Sequence, residues 1–110
     1  MVLRCVHVLF IAFVACGPPK VGSVGAMLGK DVHTGRLFVR EVPAGMAGAT
    51  AGLRDDDEVI AIDGAPVADM SPAEVHQRLE GAVGTKVVLL VVRDGETRKI
   101  EVVRGPLVRQ

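Results

Sequence analysis

Apolar runs alternate with short charged turns along this chain, and the hydrophobic period changes several times. The first run, Cys5 to Ala15, is broken only by His7 and follows a single positive charge at Arg4. It falls short of the roughly 20 apolar residues that a membrane-spanning helix needs. Gly17, Pro18 and Pro19 come directly after it and cannot continue a helix or strand, so residues 1–15 read as a secretory signal and 16–22 as an extended tether. Leu37 to Val42 is rich in β-formers. The adjacent Arg40 and Glu41 break its alternation, which predicts a bulge or a strand leaving its sheet. The alanine-rich stretch Met46 to Ala51 predicts one or two helical turns, stopped by Gly52.

In the second half, Glu58 to Ile62 predicts a strand, Asp63-Gly64 a turn, and the residues up to Val67 a short extended piece. Ser71, Pro72 and Glu74 supply an N-cap, a first-turn proline and a capping-box acid for a helix over Pro72 to Glu80 that ends near Gly81. Helical spacing marks Pro72, Val75, Leu79 and Ala82 as its buried stripe. Val87 to Val92 is apolar on both faces, as a central strand is. Asp94-Gly95 turns the chain, and Ile100 and Val102 alternate with charged residues as a half-exposed partner strand does. The fold class is therefore α+β: a small antiparallel β-sandwich or partly open barrel of five to six strands with two helices.

Composition narrows the function. A chain of 110 residues has room for one core. Lysine plus arginine balances aspartate plus glutamate at 13 each, and the three phenylalanines have no tryptophan or tyrosine beside them. That excludes a polyanion footprint and a base-stacking platform, so no nucleic-acid partner is expected. Both cysteines, Cys5 and Cys16, precede the candidate domain and cannot staple it. Beyond the tether only Ser23 and Ser71 offer a hydroxyl nucleophile of the serine type, and neither lies in a catalytic phrase, so the chain is not expected to be an enzyme. The acidic run Asp55 to Glu58 lacks the alternating ligand spacing of a calcium loop and reads as a solvated turn. His33 and His76 are not spaced as metal ligands, and no metal or cofactor is expected.

Three phrases occur in order: "GMAGATAGL", "DDEVIAIDG" and "EGAVGTKVVLLVVRDG". Together they resemble the PDZ domain of the bacterial type found in tail-specific (C-terminal-processing) and high-temperature-requirement proteases. The resemblance spans roughly Val21 to Pro106 and places the domain at 23–106, with a tail at 107–110. It implies capture of a partner's C-terminus or extended segment by strand addition. Two departures stand out. Met46 and Ala47 replace the Ser-Pro that opens the first helix in the family, and Asp55-Asp56 replaces a Pro-Gly, which puts an aspartate in a turn position that favours the left-handed conformation.

"KVGSVGAMLGK" carries three glycines before the second predicted element. It fails as a phosphate-binding loop, because counting back from Gly29-Lys30 lands on Val24 and Asp31 stands where a hydroxyl is required. Ser23 to Ala26 is instead similar to the PDZ carboxylate loop, whose successive N–H groups hold an anion without a charged side chain. The resemblance implies that Val24, Gly25 and Ala26 donate to the carboxylate and that Ala26 to Lys30, including Met27 and Leu28, forms the docking strand. Ala73, His76 and Glu80 are the helix residues expected to face the peptide, with Leu79 shared between groove and core. Met27 and Leu79 suggest an apolar pocket, hence partners ending in Val, Leu, Ile, Ala or Phe. His76 is either a solvated surface residue or a ligand contact; as a contact it gives a preference that changes near neutral pH. Gly25→Val is expected to abolish binding while leaving the fold.

Phe13 to Cys16 resembles a bacterial lipobox, which implies lipidation of Cys16. Gly17 after the cysteine then implies an outer-membrane lipoprotein facing the periplasm; plain signal cleavage would give a soluble periplasmic or secreted protein instead. The expected role is a membrane-tethered adaptor, with a substrate-recognition accessory of a separate protease or secretion complex as the alternative, and a minimal enzyme as a weak third. The tail, Leu107 to Gln110, is either disordered or able to occupy the groove itself.

Overall fold

The computed structural model describes residues 21–106. The signal, the lipidation site Cys16, the tether up to Lys20 and the tail 107–110 lie outside the described residues. The chain runs β1 (Val21–Ser23), β2 (Met27–Lys30), β3 (Leu37–Glu41), α1 (Ala47–Ala51), β4 (Glu58–Ile62), β5 (Ala65–Pro66), a 3₁₀ turn (Val67–Asp69), α2 (Pro72–Leu79), β6 (Gly81–Ala82), β7 (Lys86–Arg93), β8 (Glu96–Val103) and β9 (Gly105–Pro106). The main sheet is antiparallel in the order β2-β3-β4-β7-β8, with β5 paired to β4. A smaller sheet has the order β6-β1-β9. The architecture is thus an open two-sheet α+β domain with two helices, as the sequence pattern indicated.

Alternation explains the core. Val87, Leu89 and Val91 of β7 are buried and meet Val59 and Ile62 of β4 on one side and Ile100 and Val102 of β8 on the other. Helix α2 lays Val75 and Leu79 on this layer. Two-residue turns set the registers: Asp63-Gly64 has φ of 49° and 85°, and Asp94-Gly95 has 53° and 78°. Positive φ at both central residues twists a hairpin in the sense its strands require. The step from Met27↔Glu41 to Leu28↔Val39 leaves Arg40 as an extra residue in β3, the bulge expected from the Arg40-Glu41 irregularity.

Several expectations change. Val21 and Gly22 are not tether: they pair with Ala82 and Gly81, and Gly22 is buried beside Arg104. The docking strand starts at Met27, one residue later than expected. Pro72 is exposed rather than part of the buried stripe, because α2 begins outside the core and enters it only at Val75. Glu80 caps α2 rather than belonging to it.

The acidic run is the largest correction. Asp55 and Asp56 are exposed, with Asp56 taking the left-handed conformation at φ 73°, but Asp57 is only 1% exposed. Its carboxylate receives Arg93 Nε at 2.8 Å and Nη2 at 2.7 Å, and the Arg54 N–H at 3.0 Å. Glu58 is clamped by the Arg36 guanidinium through bonds of 2.8 and 3.1 Å. Two of the four acids of this supposed turn, Asp57 just before β4 and Glu58 at its first position, thus enter ion pairs.

Burial pushes the Asp57 carboxyl up, yet the Arg93 hydrogen bonds, the Arg54 N–H and the two positive charges outweigh it and hold the group below the usual carboxylate range. A lowered folded value means stabilisation that is present above the unfolded value of about 3.9 and is lost as pH falls through the folded one. Urea unfolding should therefore show stability falling below about pH 4. Asp57→Asn should cost about 3 kcal/mol at neutral pH, because it leaves Arg93 without its counter-charge. An unchanged unfolding midpoint for Asp57→Asn would contradict this role.

Candidate functional site

Strand β2 pairs only with β3, so it ends the main sheet and its outer backbone edge has no strand partner among the described residues. Helix α2 runs beside that edge, and the space between them is a groove with a cavity of about 220 Å³. Side chains along β2 alternate between faces. Ala26, Leu28 and Lys30 turn into the groove, opposite Pro72, Val75 and His76 of the helix. A second cavity, about 200 Å³, continues toward the loop before β2, where Ser23, Val24 and Ala26 face Leu79 and Glu80.

The loop owes its shape to Gly25, which has φ 63°. A Cβ here would lie 2.7 Å from the Ala47 nitrogen and 2.9 Å from the Met46 Cβ, so the glycine is also where the loop rests against the start of α1. Reciprocally, Gly48 of α1 lies under the Val24 and Gly25 carbonyls. The Gly25 N–H donates to Ser23 Oγ at 3.0 Å. That hydroxyl, having accepted, keeps its own proton to donate. Among the described residues, the Val24 and Ala26 N–H groups have no hydrogen-bond partner outside the strand ladders.

Each expected site residue can now be placed. Val24 is buried at the loop base, with Gly25 beside it, and Ala26 and Leu28 line the groove. Met27 does not: it is 60% exposed on the opposite face of β2, one residue out of phase. Leu28 therefore stands where the apolar pocket expected of Met27 and Leu79 would be. His76 and Leu79 line both cavities and Glu80 the second. Ala73 is exposed and lines neither, since the groove-facing stripe of α2 is Pro72, Val75, His76 and Leu79. His76 Nε2 lies 2.8 Å from Glu80 Oε2, one helical turn away.

Three side-chain roles escaped the sequence reading, although Ser23 lay in the expected loop and Lys30 in the expected docking strand. Ser23 supplies the hydroxyl just described. Lys30 spans the far end of the groove, where its Nζ donates to the carbonyls of Val67, at 3.3 Å, and Met70. Its period-two spacing from Leu28 was the available signal. Arg104 is 8% exposed and donates to the carbonyls of Leu79, Arg78 and Lys86 and to Thr85 Oγ1 at 2.9 to 3.2 Å. It satisfies the negative end of α2, which borders the loop. Nothing in the sequence marks it, because its partners are three backbone carbonyls and one threonine hydroxyl, all distant along the chain.

This geometry has relatives. A PDZ domain family model matches residues 38–93. The magnetosome formation protease MamE of Paramagnetospirillum magneticum is 38% identical over an alignment that covers 80% of this chain and 12% of that protein. The carboxyl-terminal-processing protease of Synechocystis is 30% identical over 69% of this chain and 18% of its own length. The chain thus spans less than a fifth of either relative. Among solved structures, the PDZ domain of the carboxy-terminal protease from Vibrio cholerae in complex with peptide superposes with a TM-score of 0.68 at 26% identity, covering 77% of this chain and 94% of that one.

The steric environment of Gly25 overturns the expectation that Gly25→Val spares the fold. The added side chain meets α1 backbone and a disfavoured φ, so thermal melting should show a loss of about 2 kcal/mol or more. An unshifted melting curve would contradict the loop packing. Arg104→Met, which strands four acceptors, should cost about 2 kcal/mol, whereas an exposed cation such as Lys99 should be replaceable at little cost.

Proposed function

The chain belongs to the PDZ domain family, and from that membership we propose that its groove captures C-terminal or extended segments of partner proteins by strand addition. The carrying observation is the open edge of β2, flanked by α2 and headed by the glycine-turned loop. An added strand pairs its backbone with β2 while its terminal carboxylate meets the Val24 and Ala26 N–H groups and the Ser23 hydroxyl; the Gly25 N–H, expected to be a third donor, is already given to Ser23 Oγ. Leu28 and Leu79 favour an apolar last side chain. The contact is small, so micromolar affinity, about −8 kcal/mol, is expected. Binding needs no nucleophile, and both serine hydroxyls already have structural work: Ser71 Oγ accepts the Glu74 N–H and Ser23 Oγ that of Gly25.

In its cellular setting the module acts as a membrane-tethered adaptor in the cell envelope, exported by residues 1–15 and anchored through Cys16. Support for that placement is the sequence of the first 16 residues. A second reading, a substrate-recognition accessory of an envelope protease, is favoured by the two proteases among its relatives. Intact mass of membrane-extracted protein separates an acylated Cys16 from a plain cleavage product.

Fluorescence anisotropy with matched peptides tests the groove. A free C-terminus ending in Val or Leu should bind at micromolar Kd, and its amide should bind about tenfold or more weakly, having lost charge-assisted bonds. Leu28→Glu should weaken the free peptide by a similar factor, since it places a carboxylate in an apolar pocket. Equal binding of acid and amide would reject the loop as the anion site.

A further inference from the structure

Two cations lie at the far end of β2, one on each face of it. Lys30 lies in the groove with two neutral carbonyls as partners, and an ammonium has three N–H groups to donate. On the opposite face, the β3 bulge at Arg40 turns that side chain back over β2. Its Nε, Cγ and Cδ lie 2.9, 3.3 and 3.7 Å from where a Gly29 Cβ would be, so arginine occupies the space glycine leaves. The guanidinium also sits over the Phe38 ring at 5.3 Å. Among the described residues neither Lys30 nor Arg40 is paired with a carboxylate. The nearest acids in sequence are otherwise placed: Asp31 holds the His33 and Thr34 N–H groups, and Glu41 stands opposite Met27 at the other end of β2.

Strand geometry says which ligand residues these cations meet. A peptide whose carboxylate sits in the loop before β2 runs antiparallel to β2, one ligand residue per β2 residue. With its last residue beside Ala26, the second residue before the last lies beside Leu28, the third beside Gly29 and the fourth beside Lys30. Directly opposite residues share a face. The fourth residue before the last therefore shares the groove face with Lys30. The third shares the outer face with Arg40, whose side chain reaches across the roughly 4.8 Å that separates neighbouring strands.

We propose that this domain selects ligands carrying an acidic residue at the third or fourth position before an apolar C-terminus, read by Arg40 and Lys30 from opposite faces of the added strand. The proposal rests on the strand-addition reading above. It adds a substrate class: apolar-ending tails with an acidic step upstream. Glu41 beside the penultimate position works against an acid there, so the preference is positional rather than a general attraction to negative peptides.

Isothermal titration of the protein with free-carboxylate peptides that differ only at those two positions tests it. Glutamate should bind about fivefold tighter than glutamine at either position, lysine weaker still, and the differences should shrink as salt rises. Arg40→Gln should erase the preference at the third position alone, and Lys30→Met at the fourth alone. Should Lys30→Met unfold by losing its Val67 and Met70 bonds, the wild-type peptide series and Arg40→Gln still decide. Equal affinity for glutamate, glutamine and lysine at both positions overturns the proposal while leaving strand addition intact. If no free C-terminal peptide binds in preference to its amide, the underlying reading fails instead.

Discussion

The buried pair of Asp57 and Arg93 is the constraint on which the rest of the domain depends. Asp57 immediately precedes β4 and Arg93 ends β7, so their bidentate contact fixes two central strands. The Asp57 carbonyl takes the Val39 N–H, which adds β3. Arg93 Nη2 also donates to the Gly52 carbonyl at 2.8 Å, which secures the C-terminal cap of α1. Strand β3 carries the docking strand β2, and α1 carries the loop at Gly25. One desolvated ion pair thereby holds both supports of the groove in register. Such a pair gives little net stability over an apolar substitute, but losing one partner is costly, which suits a role in fixing geometry.

An open sheet edge is a hazard that proteins usually cover, and here it is kept open under control. Strand β2 is four residues long, and its far end is pinned by Lys30 to the turn preceding α2. The other edge strand, β8, exposes Arg98, Lys99 and Glu101, charges that disfavour pairing with a second chain. At the head of the groove, Arg104 satisfies the last carbonyls of α2, so the negative end of the helix opposes an incoming carboxylate less than it otherwise would. Among the described residues, no three His, Cys, Asp or Glu side chains group as a metal site, and no helix is long and apolar enough to cross a membrane.

Local features were legible in the sequence where local chemistry determines them. The Asp-Gly turns, the Ser71 cap, the Gly52 stop and the left-handed Asp56 each follow from the conformational limits of one or two residues. The Arg40 bulge showed itself as a broken alternation. What the sequence hid depends on partners far along the chain. Asp57 looks like its exposed neighbours until β4 brings it to Arg93, 36 residues away. Arg104 binds mainly backbone carbonyls, which carry no sequence signal. Met27 and Leu28 are equally apolar, and only the phase of the strand, which puts Leu28 on the groove face with Ala26 and Lys30, decides which of them faces the helix. A phase error of one residue exchanges groove and surface.

The most direct test of the account is an NMR titration of the ¹⁵N-labelled domain with a free-carboxylate peptide, followed by amide hydrogen exchange in the complex. The account predicts the largest shifts at Val24, Gly25 and Ala26, side-chain perturbation at Leu28 and Leu79, and new exchange protection along the outer edge of Met27–Lys30. Shifts centred on β8 or the Met27 face, with the β2 edge still exchanging as in the free protein, would contradict it.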